Sequence, residues 1–460
     1  MNAPLARYSI SIGFPAATLV DRVRMMPMAI AAIAHIGSNL TWRCSIITLM
    51  LRSSGNRLDL AIVFAVAVLT NFAYLILSNG DFYYPDSFTY LAPARSMLSG
   101  AGFLDDSNLV ETIRTPAYPL LLALFGARTL PIIVLQHLIN VALALGIYIF
   151  AASRTANRLI ALVASLLFAI DVPTIHYANK LLTETTFAAL LYVLFLLALH
   201  RPNVVALGLL TGVLVLVRPI AIFFFVPLAI VLAIWHKSAR HLAIFTLLAL
   251  LLPVGWAARN KVQTGVFSVS SIGNINLLSQ RAAGALAIED EGDFREALTD
   301  EESALTDEAD DWIQQTLHIP DAEELPVAVR AKYYAQYGVR VIREHWLSFV
   351  QLTIRGVLVN FVDSDWDAVW DISQISPDVL RLTLGLIPVI ILAFATVGVI
   401  DLWRSDRALA LLIIVVVVYF IGISAGGEAE SRFRVPVVPQ LAIAAGAGVA
   451  AVRRGLTSPR

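Results

Sequence analysis

Residues 58–77 read LDLAIVFAVAVLTNFAYLIL, and residues 78–90 read SNGDFYYPDSFTY. As α-helix, the first stretch is long enough to cross a hydrocarbon core of about 30 Å. Backbone in lipid must satisfy its polar groups within its own segment, so the run is a spanning helix and not a buried strand. The polar stretch after it continues to Thr115 and holds Asp81, Asp86, Asp105, Asp106 and Glu111, which makes it the first segment outside the bilayer.

Working outward, comparable apolar runs recur at about 129–152, 157–172, 181–199, 204–217, 219–235, 241–257, 382–400, 408–424 and 435–452. The chain is 58% hydrophobic and only 15% charged, where soluble proteins carry roughly a quarter of their residues as charge. The expected fold is therefore an all-α polytopic membrane protein of about ten transmembrane helices. Outward-facing juxtamembrane helices and one long outer loop complete it. The formal charge of −1 averages over loops on both sides of a membrane, and no nucleic-acid partner is expected. Cys44 is the only cysteine, which excludes an internal disulfide.

Four regions follow. Residues 1–57 form a basic cytoplasmic segment without a cleavable signal peptide, since His35, Asn39 and Arg43 interrupt the apolar stretch after Arg22 and Arg24. Met50 is an alternative start for the chain. Residues 58–257 form a transmembrane module whose first outer loop is 78–128, residues 258–381 an outer acidic loop with an interfacial helix, and residues 382–460 the C-terminal helices. Arg52, Arg57, Arg154, Arg158, Arg201, Lys237, Arg240, Arg404, Arg407, Arg453 and Arg454 all fall on one side, which is the cytoplasmic one. Both termini then lie inside, and 78–128, 172–180 and 258–381 face outward. This parity requires that Trp346 to Phe361 does not cross; Arg355, Trp346, Trp366 and Trp370 suit an interfacial helix. Helical patterns inside the acidic loop cover Phe294–Leu298, Ala309–Leu317 and Val327–Tyr337, with the charges as a solvated surface.

Chemistry concentrates in the first outer loop. Asp86 follows Pro85 and precedes a helical pattern running to Leu98, so it sits at a helix N-terminus, where the dipole favours an ionised carboxylate. Tyr90 lies one turn on, on the same face. A plain Asp N-cap is the bland explanation. Arg114 before the proline-led helix at Pro116 gives Asp86 company that a simple connector lacks. In the next outer turn, Asp171 to Lys180, Glu184 stands just inside an apolar helix, and an ionisable residue at that depth is a functional candidate. Its ordinary alternative is a surface pair with Lys180. Asp171 and His176 read as a polar interface turn. Arg218 interrupts two apolar helices, where a snorkelling arginine is the common case. Arg432 and Arg434 open the last helix on the outer side, against the usual charge bias, which points to an anionic partner. Gln136, His137 and Asn140 on one helix face read as interhelical hydrogen bonds and not as metal ligands.

Taken in order, Asp86, Arg114-Thr115-Pro116-Ala117-Tyr118-Pro119, Val217-Arg218-Pro219, Arg259-Asn260 with Gly265, and Glu430-Ser431-Arg432-Phe433-Arg434-Val435-Pro436 resemble recurring elements of the GT-C class of membrane glycosyltransferases. The branch is the one with protein O-mannosyltransferases and the aminoarabinose transferases of lipid A. The likeness runs from about Leu58 to the C-terminus. One departure is that Ser87 follows Asp86 where the O-mannosyltransferases pair the acid with a Glu, so that subfamily is not assigned.

The resemblance implies a transferase at the outer face of the inner (plasma) membrane, using a sugar on a polyprenyl phosphate and a lipid, polysaccharide or protein acceptor. It implies Asp86 as the catalytic carboxylate, and the depth of Glu184 makes that residue the second catalytic candidate. Tyr90, Arg114, Tyr118, Lys180, Arg218, Arg259, Arg432 and Arg434 are the substrate-binding candidates, with membrane lipids as further partners. The sequence requires no cofactor, although Glu184 and Asp86 together allow a divalent metal. A transporter or flippase of a lipid-linked substrate is the alternative, but it calls for ionisable residues near mid-membrane in discontinuous helices. An envelope acyltransferase calls for a His–acid pair, which His176 with Glu184 represents poorly.

Overall fold

The computed structural model describes residues 54–200, 203–290, 292–373 and 375–457. The segment 1–53, with its cytoplasmic assignment, Arg52 and the alternative start at Met50, lies outside the described residues, as does Arg201. Among the described residues all regular structure is helical, apart from one isolated bridge between Leu104 and Val110.

The first half runs α1 (Ser54–Leu77), α2 (Ser87–Leu98), α3 (Ala117–Leu124), α4 (Thr129–Thr155), α5 (Arg158–Ala169), α6 (Val172–Ala178), α7 (Glu184–Leu199), α8 (Val204–Val217), α9 (Phe225–His236) and α10 (Ala239–Thr264). The middle segment holds α11 (Ile272–Asn276), a π-helical turn (Leu277–Ala282), α12 (Ala283–Ala287), α13 (Phe294–Leu317), α14 (Val327–Glu344), α15 (Trp346–Val362) and α16 (Trp366–Ser373). It is followed by α17 (Pro377–Ser405), α18 (Arg407–Ile423) and α19 (Val438–Thr457).

Among the described residues, five helical stretches are long and apolar enough to cross a membrane: Asn56–Leu77, Thr129–Thr155, Ala239–Thr264, Pro377–Ser405 and Ser431–Leu456. A sixth is counted if α5 and α6, bent by 50°, are one broken span. The chain is thus multi-pass, but the expected ten full spans are not all long helices. The apolar helices α7, α8 and α18 and the stretch Pro219–Trp235 have no more than 17 residues, about 25 Å at 1.5 Å per residue. Apolar content alone does not register chain breaks. Pro219 disfavours helical backbone at Arg218, whose φ of −139° and ψ of 119° end α8 there.

The last helix is central: 83% of the apolar window in Ser431–Leu456 is buried, against 17% for α1 and for α17. Its small residues allow this. A Cβ on Gly398 of α17 would stand 1.7 Å from the carbonyl oxygen of Ala444, and one on Gly448 would stand 1.9 Å from that of Phe394. Gly446 meets the carbonyl of Ile160 on α5 in the same way. Without an aqueous driving force between helices in lipid, close backbone approach of this kind supplies the packing. The polar face of α4 is satisfied between helices as expected. Gln136 accepts from Tyr118 and donates to the carbonyls of Ala178 and Lys180, and His137 and Asn140 meet Asn71.

The acidic stretch departs from the expectation of a loop with three short helical patterns. Phe294–Leu298 and Ala309–Leu317 belong to one 24-residue helix, α13, and the third pattern extends to Glu344. Leu305, Ala309 and Ile313 face inward with Leu278, Ala282, Ala322, Tyr334 and Val341, a small core separate from that of the spans. The apolar positions of α13 lie three to four residues apart between acids, which gives one buried stripe and one charged face.

Candidate functional site

The segment 78–128 between α1 and α4 folds back on itself. Asp86 occupies the N-cap position of α2 with a φ of −67° and a ψ of −20°, but its side chain caps nothing. The carboxylate instead accepts from Arg114 Nη2 at 2.7 Å and from Arg432 Nη2 at 2.9 Å. The N-cap explanation therefore fails on geometry.

Arg114 is held on several sides. Its Nε donates to Thr89 Oγ1 at 2.7 Å, its Nη1 reaches the Tyr90 hydroxyl at 3.3 Å, and its guanidinium lies 4.6 Å from the Tyr90 ring centre. Tyr90 packs edge-on against Tyr118, whose hydroxyl bonds Gln136 beneath. The turn that presents Arg114 is built by the buried Glu111, whose carboxylate accepts from the backbone N–H groups of Ile113 and Arg114.

Glu184 opens α7, 1% exposed. It does not pair with Lys180. Arg218 Nη1 stands 2.5 Å from Glu184 Oε1 and Arg432 Nε 3.2 Å from it. Lys180 pairs instead with Asp81 at 2.5 Å. Arg432 also lies 3.2 Å from Glu430 Oε1, and Tyr84 donates to Glu430 Oε2 at 3.2 Å. The result is a chain of alternating charge: Arg114, Asp86, Arg432, Glu184, Arg218, with Glu430 as a branch. Three guanidiniums face three carboxylates in a half-buried cluster.

Burial pushes the Asp86 carboxyl up, but Arg114 and then Arg432 outweigh it and hold it below the usual carboxylate range. Glu430 goes the other way: burial raises it, and neither Arg432 nor the Tyr84 hydroxyl fully offsets that. Burial, with Glu430 beside it, pushes the Tyr84 phenol up to about 12, so it stays a donor.

Of the residues expected in the site, the structure brings Asp86, Glu184, Tyr90, Arg114, Arg218 and Arg432 together, with Tyr118 directly behind Tyr90. Lys180 is engaged with Asp81. Arg259 donates to the carbonyls of Phe103 and Glu111, so it holds the loop that holds Arg114. Arg434 faces away from Asp86, donating to the carbonyls of Asn360 and Phe361. It lines a groove of about 740 Å³, open mouth included, with Leu167, Pro173, Ile387, Ile391 and Leu441. Tyr84 and Glu430 stand in the quoted motifs but carry no local signal of a role; Glu430 is identified only by its contacts. Among the described residues, no three His, Cys, Asp or Glu side chains converge to hold a metal ion. Arg432 bridges Asp86 and Glu184, so as arranged these carboxylates do not fit a shared divalent cation.

No protein-family model matches the sequence, and no curated protein matches it either. Solved structures do. The archaeal oligosaccharyltransferase AglB from Archaeoglobus fulgidus, in complex with an inhibitory peptide and a dolichol-phosphate, is 14% identical with a TM-score of 0.45. That match covers 86% of this chain and 50% of the other, so the chain spans about half the length of the oligosaccharyltransferase. ArnT from Cupriavidus metallidurans in the apo state is 15% identical, covering 83% of this chain and 77% of that one, with a TM-score of 0.36. ArnT bound to undecaprenyl phosphate is 14% identical, covering 90% and 79%, with a TM-score of 0.34. The solved structures that this chain resembles thus include an oligosaccharyltransferase and ArnT.

Proposed function

We propose that the protein is a glycosyltransferase that moves a sugar from a polyprenyl-phosphate donor to an acceptor hydroxyl, or another nucleophile, at the outer face of the plasma membrane. Both termini then lie in the cytoplasm. The observation that carries this reading is the sharing of Asp86 between Arg114 and Arg432, where the first outer segment meets the last span.

Each part has a chemical task. The donor's phosphate takes hydrogen bonds from Arg432 and Arg114, whose planar forks suit phosphate oxygens. As the bond from the anomeric carbon to the phosphate oxygen breaks, its electron pair stays on that oxygen, and the guanidiniums stabilise the growing charge. The acceptor oxygen forms the new bond on the opposite face of the carbon, so the product is inverted, and its proton passes to Asp86. In the resting cluster Asp86 is a weak base because two arginines hold it. When those contacts shift to the phosphate, the carboxylate regains basicity where the proton is released. Glu184 holds Arg432 and Arg218 against the donor, and Tyr90 and Tyr118 wall the pocket. The groove beside Arg434 takes the apolar tail of the donor.

The test is transfer of labelled sugar from isolated polyprenyl-phosphate donors to envelope and membrane extract, with wild type and Asp86→Asn purified in parallel. Transfer by wild type alone, with Asp86→Asn lowered by about 100-fold or more, supports the reading. Retained turnover in Asp86→Asn removes that carboxylate from the reaction. A folded wild type inactive with every donor favours transport of a lipid-linked substrate.

A further inference from the structure

The loop between α18 and Arg432 reads Ser424-Ala425-Gly426-Gly427-Glu428-Ala429-Glu430, with two glycines and no large apolar side chain to anchor it. Such a loop would be a poor support for the arginine at the centre of a charge cluster. Asn360 holds Ser424 and the N–H of Glu430, and Asp363 accepts the N–H of Ser431; a further anchor for the middle of the loop comes from 142 to 147 positions earlier in the chain. Arg281, on the π-helical turn, donates from Nη1 to the carbonyl of Ala425 at 2.5 Å and from Nη2 to that of Ile423 at 2.8 Å. Its Nη2 also pairs with Glu428 Oε1 at 2.7 Å. The neighbouring carbonyl of Gln280 accepts the N–H of Gly427 at 3.1 Å.

The fit is close. A Cβ on Gly426 would stand 2.6 Å from Arg281 Cζ, and one on Gly427 would stand 2.7 Å from the Gln280 oxygen. The turn that presents these groups is π-helical, a rare form found often at functional sites. On its other side the turn is backed by α14. A Cβ on Gly338 would stand 2.6 Å from the carbonyl oxygen of Leu277. Arg281 thus joins the middle helical segment to the loop that delivers Glu430 and Arg432.

We infer that Arg281 is a positioning residue for the transfer reaction, clasping the 424–430 loop so that Arg432 reaches Asp86 and Glu184; this rests on the proposed function. Arg281 touches none of the reacting groups and acts through the loop. A lysine cannot replace it, because one ammonium does not span two carbonyls and a carboxylate with a planar fork.

The experiment uses the full-length protein in detergent or nanodiscs, as wild type, Arg281→Ala, Arg281→Lys and Glu428→Gln. Hydrogen–deuterium exchange of residues 424–434 is read first, with Val438–Thr457 as internal reference for an intact fold. In Arg281→Ala the loop amides are expected to exchange at least about tenfold faster while the reference is unchanged. Sugar-transfer kcat is expected to fall about tenfold or more, with donor KM moved less than about threefold, since the loop sets geometry in the transition state. Arg281→Lys should recover little of either. Glu428→Gln, which keeps shape and one acceptor, should give a smaller change of the same sign and serves if Arg281→Ala misfolds. Unchanged exchange in the variants overturns the clasp. Faster exchange with unchanged kcat overturns the positioning role. Inactive wild type with faster loop exchange in Arg281→Ala would sink the transferase reading while leaving the clasp in place.

Discussion

Arg432 touches three carboxylates at once, Asp86 at 2.9 Å and Glu184 and Glu430 at 3.2 Å each. Only a planar, five-donor group can do so, and Arg432→Lys is expected to lower transfer by about 100-fold or more while the protein still inserts. Transfer within about threefold of wild type would show that charge alone suffices there. A second residue makes a pH prediction. Asp365 is 8% exposed, adopts a φ of 48°, and has its carboxyl pushed up to about 8, by burial first and then by Asp363, Asp367 and Glu430, against a Ser431 contact. A raised carboxyl binds its proton more tightly folded than unfolded. Its contribution to stability is therefore complete below the unfolded value of about 4 and is lost as pH rises through about 8. Asp365→Asn should stabilise the protein by about 1–3 kcal/mol at pH 9, with the gap closing toward pH 5. A melting series across that range checks it, and a gap independent of pH would show that Asp365 is ionised throughout. Asp86, Glu184 and Arg432 were legible because an ionisable residue beside an apolar helix is unusual. Asp365 was not, because its burial depends on neighbours far away in the chain.

At the scale of elements, hydropathy reads apolar length well and chain breaks poorly. It finds the regions of α1, α4, α10, α17 and α19, but it cannot tell a 14-residue helix ending at Arg218 from a full span. The segment 441–450 shows its small residues openly, yet nothing local says which helix they admit. The answer is α17, where Gly398 and Gly448 are each pressed against the partner's backbone. Gly398→Ala is expected to force α17 and α19 apart and to destabilise by about 1–3 kcal/mol, as overpacking does. Gly385→Ala and Gly422→Ala, where an added Cβ meets nothing within 4 Å, should be neutral or slightly stabilising, since alanine favours helix by about 0.5–1 kcal/mol. Thermal unfolding of all three in one detergent separates contact from propensity. Equal behaviour would mean that the α17–α19 contact is looser than described.

On the scale of the whole molecule, the site exists only because positions 346 residues apart meet: Tyr84 with Glu430 and Asp86 with Arg432. No periodicity reports such a meeting, so the motifs at each end were readable while their union was not. That union sets the electrostatics. With three guanidiniums each paired to a carboxylate, the resting cluster offers no unpaired guanidinium to an anionic donor. A phosphate entering it adds negative charge there, and the most economical relief is a proton. Glu430 is the group placed to take it, since burial already raises its carboxyl and the Tyr84 hydroxyl keeps contact with it in either form. Donor binding is therefore expected to be coupled to proton uptake, with Kd falling as pH is lowered, by up to about tenfold per unit. Glu430→Gln mimics the protonated form, so its Kd should be low and nearly flat with pH. Calorimetry of polyprenyl phosphate binding in two buffers of different ionisation enthalpy counts the protons directly. Proton uptake by wild type and none by Glu430→Gln would assign the site's charge compensation to Glu430. Equal uptake in both would move it to another carboxylate of the cluster, and no uptake in either would mean that the donor enters by displacing Asp86 alone.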